Sequence, residues 1–266
     1  MSLYALEAGT GRETVVLIHG FAGSHAAWRE VQPLLAGKYR TIAYDMPGHA
    51  ASLDWPGAGP AKVAARAILA DLAERGISGV HVVGHSMGGA VAVLMALFEP
   101  GRVASLTLCA PGGFGPQING RLLGRYASAT DAADLRDCLE QMTGWYGTVT
   151  DSAVADAVAQ RAIPGQRDLL LDIRKGMTRD GRQGEIPREE IAKITVPVTL
   201  LWGRLDNVLP AFHTEGLPAW FDVRLLDDVG HMLPEEAPQA VADAVAETVE
   251  TAVDSGDPAP PTPSNS

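Results

Sequence analysis

Val80-His81-Val82-Val83-Gly84-His85-Ser86-Met87-Gly88-Gly89-Ala90 is the stretch from which the rest of the chain can be read. It opens with a valine-rich apolar run of the kind that fills a buried parallel strand. Residues 90–98, rich in alanine, valine, leucine and methionine, read as a helix. Between the two stands Gly84-His85-Ser86-Met87-Gly88, a G-x-S-x-G pattern. The bare pattern is common by chance and gains weight only from its setting between strand and helix. A strand that turns at once into a helix forces the corner residue into a strained backbone conformation, and a Cβ at Gly84 or Gly88 would collide with the neighbouring turn. The corner side chain, Ser86, is lifted clear of the sheet and held near the positive end of the following helix. The bland alternative is a glycine-rich turn whose serine does nothing.

Outward from this corner the chain alternates. Residues 13–19 and 40–45 read as buried strands, residues 3–8 as an edge strand, and residues 103–110 as the strand after the corner helix. Ser24 is placed to cap a helix running to about Leu35, and Val63, Ala67, Ile68 and Leu72 recur at helical spacing within residues 59–76. Such alternation implies a parallel sheet with right-handed crossovers. Residues 111–190 break the pattern: helices are expected at 135–142, 153–161 and 169–177, with no strand. The sheet resumes at residues 196–203 and 223–229, followed by a closing helix over 235–253. The expected organisation is a core of residues 1–110 and 191–253, a helical lid of residues 111–190, and a Pro/Ser-rich disordered tail of residues 254–266.

Composition narrows the function. The 266 residues are enough for one large α/β domain, and nothing divides them into two. A net charge of −11 disfavours nucleic acid and anionic membrane surfaces as partners. Residues 1–7 lack the basic and apolar segments of a signal peptide, and no apolar run is long enough to span a bilayer. Cys109 and Cys138 form no disulfide framework, so the expected compartment is the cytoplasm. His25, His49, His81 and His213 lack metal-ligand spacing, no nucleotide-binding glycine pattern follows a strand, and no cofactor is expected.

The corner motif in this setting resembles the nucleophile elbow of the α/β-hydrolase superfamily. The resemblance implies an α/β fold with a mostly parallel twisted sheet, helices on both faces and an inserted helical lid. It also implies a Ser-His-Asp triad. Serine needs a base close in space and an acid to orient that base. His231, in Asp228-Val229-Gly230-His231-Met232-Leu233-Pro234, resembles the family's catalytic histidine and follows the last expected strand. Asp206, in Leu201-Trp202-Gly203-Arg204-Leu205-Asp206, fits the acid position. The strand before it ends Cys109-Ala110-Pro111-Gly112-Gly113 with no rival carboxylate. Asp227 and Asp228 stand too close to the histidine and are expected in solvent. The family's oxyanion donors fall on the backbone N–H groups of Phe21 and Met87, whose side chains are expected to line the acyl pocket. His19 resembles the histidine that braces this loop, Asp45 reads as a structural turn residue, and His85 as packing or pocket lining. Of the lid's apolar residues Leu122, Tyr126, Leu139, Met142, Trp145 and Tyr146, some should face the pocket, with Trp145 and Met142 the chosen wall residues.

A serine nucleophile excludes the family branches that use aspartate. The carbon–carbon bond hydrolases commonly carry tryptophan after the histidine and Gly-Pro-Gly near the oxyanion loop; Met232 and Phe21-Ala22-Gly23 depart from that. Residues 110–120, with Arg174-Lys175-Gly176-Met177 and Arg182-Gln183, resemble the hydrolase domain of acetoin-dehydrogenase E2-type proteins. Those carry a lipoyl domain ahead of it; here the hydrolase pattern begins almost at residue 1, so acetyl transfer would need a lipoyl domain from another chain. The reading is therefore a serine hydrolase acting on a small-molecule ester, lactone or thioester. The alternatives are an acyltransferase, a carbon–carbon bond hydrolase, or a non-catalytic binding protein on the same fold. The acceptor and the oligomeric state stay open.

Overall fold

The apolar runs form a seven-stranded sheet in the computed structural model, which describes residues 3–256. Five strands precede the helical insertion: β1 (Ala5–Ala8), β2 (Thr14–Ile18), β3 (Arg40–Tyr44), β4 (Val80–His85) and β5 (Val103–Cys109). The insertion holds a two-residue ladder of β6 (Thr178–Arg179) and β7 (Arg182–Gln183), and the sheet resumes with β8 (Val198–Gly203) and β9 (Asp222–Leu226). The order across the sheet is β1-β3-β2-β4-β5-β8-β9. Only β1 runs antiparallel, pairing Ala5 with Tyr44. β4 lies in the middle and every one of its residues is buried. That burial on both faces is why it reads as an unbroken apolar run rather than an alternating one.

Helices cover both faces. α1 (Gln32–Ala36), α2 (Ala61–Glu74) and α3 (Met87–Phe98) precede the insertion. The insertion contributes α4 (Gly120–Ser128), α5 (Ala132–Met142), α6 (Asp151–Arg161), α7 (Gln166–Met177) and α8 (Arg188–Ile191), and α9 (Leu233–Glu236) and α10 (Pro238–Gly256) close the chain. α2 packs on α3, which crosses β4 and β5; α1 packs with α10, which crosses β5 and β8. α3 is apolar nearly all round, as a helix sealed between sheet and α2 must be.

Four expectations need correction. Ser24 does cap, its Oγ accepting from the Ala26 N–H at 3.2 Å, but the capped element is a single 3-10 turn over His25–Trp28. Pro33 has no N–H to give a continuing helix and is accommodated only in the first turn of the separate α1. The closing helix is likewise two pieces. Ala237, which precedes Pro238, lies outside helical backbone space at φ −137°, ψ 51°. α10 then runs to Gly256, so residues 254–256 are helix rather than tail; the expected disorder of residues 257–266 falls outside the described residues. The insertion also contains α4 and the β6/β7 ladder, neither of which was expected.

Candidate active site

Ser86 sits where β4 becomes α3, with φ 53° and ψ −116°. A non-glycine residue held there stores about 1–3 kcal/mol, which persists only if the surroundings over-determine it. They do so through hydrogen bonds on both sides: the Ser86 N–H donates to the Cys109 carbonyl at 2.9 Å, and the Gly112 N–H donates to the Ser86 carbonyl at 2.8 Å. The flanking glycines are sterically required. A Cβ on Gly84 would lie 2.3 Å from the Gly88 oxygen, inside the turn itself, and one on Gly88 would lie 2.2 Å from the Ile18 oxygen of β2. The second clash is with the neighbouring strand, not with the turn that the sequence suggested. Ala22 (φ 60°) and Ala110 (φ 43°), in the loops flanking Ser86, hold the same unfavourable region.

His231 and Asp206 reach Ser86 from the loops after β9 and β8. A Cβ on Gly203, the last residue of β8, would stand 2.2 Å from the carbonyl oxygens of Val229 and Gly230, so glycine lets the two loops touch. Asp206 Oδ1 accepts the N–H groups of Val208 and Leu209, each at 2.8 Å. That leaves Oδ2 for His231 Nδ1, also at 2.8 Å. A carboxylate there fixes the proton on Nδ1, so Nε2, 3.0 Å from Ser86 Oγ, is the acceptor. All three residues are buried. Asp227, by contrast, is exposed and pairs with Arg204.

Further groups hold this arrangement. His85 donates from Nε2 to the His231 carbonyl at 2.8 Å. Burial, with the neighbouring His231, pushes its pKa down to about 3, so it stays a neutral brace. His19 donates from Nδ1 to the Gly20 carbonyl at 2.7 Å and accepts the Met46 N–H on Nε2 at 3.0 Å, which ties the loop after β2 to the turn after β3. Asp45 accepts from the His25 and Ala51 N–H groups, a structural use. One of them, Glu236, escaped the sequence. Glu236 Oε2 accepts the N–H of Gly144 at 2.7 Å and of Gly230 at 2.9 Å, and Oε1 accepts Met232 N–H at 2.9 Å. One carboxylate thus ties the insertion to both sides of His231. Its only sequence signal is a glutamate five positions after the histidine.

Ser86, His85 and His231 open into a cavity of about 140 Å³. Phe21, Leu123, Tyr126, Leu139 and Met142 give it apolar walls. Met142 is therefore at the cavity, and its carbonyl also accepts the His231 N–H at 2.7 Å. Trp145 is not: it is 81% exposed and takes no part in the walls. Gly144 sits so tightly on the histidine loop, its Cβ position 2.3 Å from the Asp228 oxygen, that the chain beyond it turns outward and carries Trp145 and Tyr146 onto the surface. Leu122 also lies away from the cavity. The Met87 side chain belongs to the hydrophobic core and does not line it either; its N–H is at the first position of α3, where no intrahelical acceptor exists. The Gly23 carbonyl accepts from Gln160 of α6 at 2.6 Å, so the loop after β2 too is tied to the insertion. Both cysteines are free and buried, and burial pushes the Cys109 thiol up to about 12. Among the described residues no group of His, Cys, Asp and Glu is arranged to hold a metal ion, and no helix is long and apolar enough to cross a membrane.

Residues 15–244 match the profile of the Alpha/beta hydrolase family. The chain is 34% identical over 229 residues to the dihydrolipoyllysine-residue acetyltransferase component of the acetoin cleaving system of Cupriavidus necator, covering 86% of this chain and 61% of that one. It thus spans about three fifths of that relative's length. A 2-hydroxy-6-oxononadienedioate/2-hydroxy-6-oxononatrienedioate hydrolase of Cupriavidus pinatubonensis is 29% identical, covering 78% of this chain and 75% of that one. Among solved structures, a meta-cleavage product hydrolase from Pseudomonas fluorescens IP01 superposes with a TM-score of 0.81 at 21% identity, covering 93% of this chain and 94% of that one, and so shares its fold. With a profile match over most of its length, the chain belongs to the Alpha/beta hydrolase family.

Proposed function

We propose that the chain is a serine hydrolase that cleaves a small carboxylic ester, lactone or thioester through an acyl-enzyme on Ser86. The observation that carries this reading is the unbroken hydrogen-bond chain from Asp206 Oδ2 through His231 to Ser86 Oγ, opening into an apolar cavity. Ser86 Oγ attacks the substrate carbonyl as its proton passes to His231 Nε2, and Asp206 stabilises the imidazolium that forms. The oxyanion is held by the N–H groups of Phe21 and Met87, donors typically worth about 3 kcal/mol each to the transition state. His231 then protonates the leaving alcohol or thiol, and water, activated by the same nitrogen, releases the acid. The proposed substrate is a small molecule, and the insertion acts as the lid that selects it. The two free cysteines fit the reducing conditions of the cytoplasm.

A thiol or alcohol in place of water would make the same acyl-enzyme an acyltransferase. Similarity to the acetyltransferase component of the acetoin cleaving system favours keeping this second reading. The carbon–carbon bond reading fits less well. The substrate named for the hydrolase relative is a dicarboxylate, whereas the only guanidinium on the cavity wall among the described residues, Arg29, is already paired with Asp156 at 2.6 Å. Met232 also stands where that branch commonly has tryptophan. A screen of short p-nitrophenyl esters, with and without a thiol acceptor such as dihydrolipoamide, tests the proposal. Turnover with acid as the product supports the hydrolase; a thioester as the dominant product supports the transferase. No acyl transfer to either acceptor would overturn both.

A further inference from the structure

Glu235 lines the cavity and the mechanism above has no use for it. It stands four residues after His231 in α9, and its Oε2 is shut off from solvent with no hydrogen-bond partner among the described residues. Its neighbour Glu236 spends both oxygens on backbone N–H groups, whereas the one donor close to the Glu235 carboxyl is its own backbone N–H, and Oε2 has none. Glu236 beside it opposes its ionisation by like charge. Burial pushes its pKa up to about 8. The residue is half-buried, but its Oε2 is buried and unpaired; such an oxygen is costly, and a ligand that brings it a donor recovers the loss.

The remaining walls say what that donor is. Besides Glu235 and Glu236, the cavity is bordered by the carboxyls of Glu30 and Asp156, against one guanidinium among the described residues, that of Arg29. The whole chain carries −11. A substrate group with its own negative charge would be repelled at every depth, whereas a cation is drawn in and finds an unpaired carboxyl among apolar walls, where attraction is weakly screened. The cavity, at about 140 Å³, has room for a short aliphatic chain between that carboxyl and Ser86.

We propose that Glu235 is a specificity-determining residue that takes the protonated amine of a short amino-acyl substrate whose carbonyl is presented to Ser86. The proposal rests on the serine hydrolase reading. An ammonium arriving at Glu235 makes an ion pair, and the carboxyl gives up its proton to solvent on binding.

Two measurements test it. The first needs no turnover: Ser86→Ala protein is titrated calorimetrically with n-pentylammonium and with 1-pentanol at pH 7 in buffers of different ionisation enthalpy. The ammonium should bind at least about tenfold more tightly and release close to one proton per ligand, as expected for a carboxyl with a pKa near 8 that ionises on binding. Equal binding of the two ligands, or ammonium binding without proton release, would overturn the proposal. The second compares p-nitrophenyl 6-aminohexanoate with its methyl-ended isostere, p-nitrophenyl heptanoate, and with the 6-hydroxyhexanoate ester. The aminohexanoate should lead in kcat/KM by about tenfold or more over both, and Glu235→Gln should reduce that ratio to near one. A hydroxyl ester as good as the amino ester would overturn the charge-based assignment. The two readings fail separately. If heptanoate is turned over and Ser86 is acylated but the amine confers no advantage, only the Glu235 assignment falls. If pentylammonium binds with proton release yet no ester is cleaved, only the hydrolase reading falls.

Discussion

His231 is held by four contacts that do different things: Asp206 on Nδ1, Ser86 on Nε2, the Met142 carbonyl on its N–H and His85 on its carbonyl. The first fixes the tautomer, the second uses it, and the other two fix where the ring stands. Asp206→Asn keeps the shape but offers Nδ1 an amide donor, which leaves Nε2 protonated and unable to accept from Ser86. Steady-state turnover should fall by about four orders of magnitude, the loss measured for the same change in a serine protease. His231→Ala should cost at least as much, and the double variant little more, because the residues act as a unit. Near-normal turnover in Asp206→Ala would mean that another carboxylate holds His231. Glu236 acts one step further out. Removing its carboxylate in Glu236→Ala leaves three N–H groups unpaired, at about 1–3 kcal/mol for each that water cannot reach. The melting temperature should drop, and kcat should fall more than KM rises, as expected when a catalytic ring loses its support.

At the scale of elements, the strands were legible because their signal is local. Valine-rich runs such as β4 are buried on both faces and need no partner to be recognised. The insertion was harder to read, for identifiable reasons. α4 has glycines at 120 and 124 interrupting its apolar stripe, and its start depends on Asn119, whose side chain accepts the Leu122 N–H at 3.1 Å. The β6/β7 ladder is too short to show any period. The side of the insertion that Trp145 would face is set by the contact of Gly144 with a loop more than eighty residues away, and no spacing rule reveals that. Glu236 was invisible for the same reason: a glutamate at the start of a helix reads as a solvated one until its three donors are seen. The insertion also bears a prediction. Met142→Ala should change the relative rates on p-nitrophenyl acetate, butyrate and hexanoate, because Met142 lines the cavity, whereas Trp145→Ala should leave that profile unchanged. Met142 is buried, so its truncation carries a stability cost of about 2–5 kcal/mol, and circular dichroism should verify the fold before the profile is read. A profile that shifts with Trp145 and not with Met142 would mean that the walls are assigned wrongly.

For the molecule as a whole, an acidic chain with a carboxyl-bordered cavity should show its chemistry in its stability. Burial pushes the Glu235 carboxyl up to about 8 from its ordinary 4.5. The folded protein therefore binds this proton more tightly than the unfolded chain does, and the contribution is present below about pH 4.5 and lost as pH rises to about 8. Within that interval the loss is at most ~1.4 kcal/mol per pH unit. Denaturant titrations between pH 5 and 9 should find wild-type stability declining more steeply than that of Glu235→Gln; parallel curves would mean that the carboxyl is solvated. The central claim concerns Ser86, and a covalent probe tests it most directly. A fluorophosphonate reports the strained, activated serine whatever the natural substrate is. Intact-mass and peptide analysis after labelling should find one adduct, on the peptide that contains Ser86, absent in Ser86→Ala and strongly slowed in His231→Ala. An adduct on a different serine, or none on protein that is turning over an ester, would contradict the assignment of Ser86 as nucleophile.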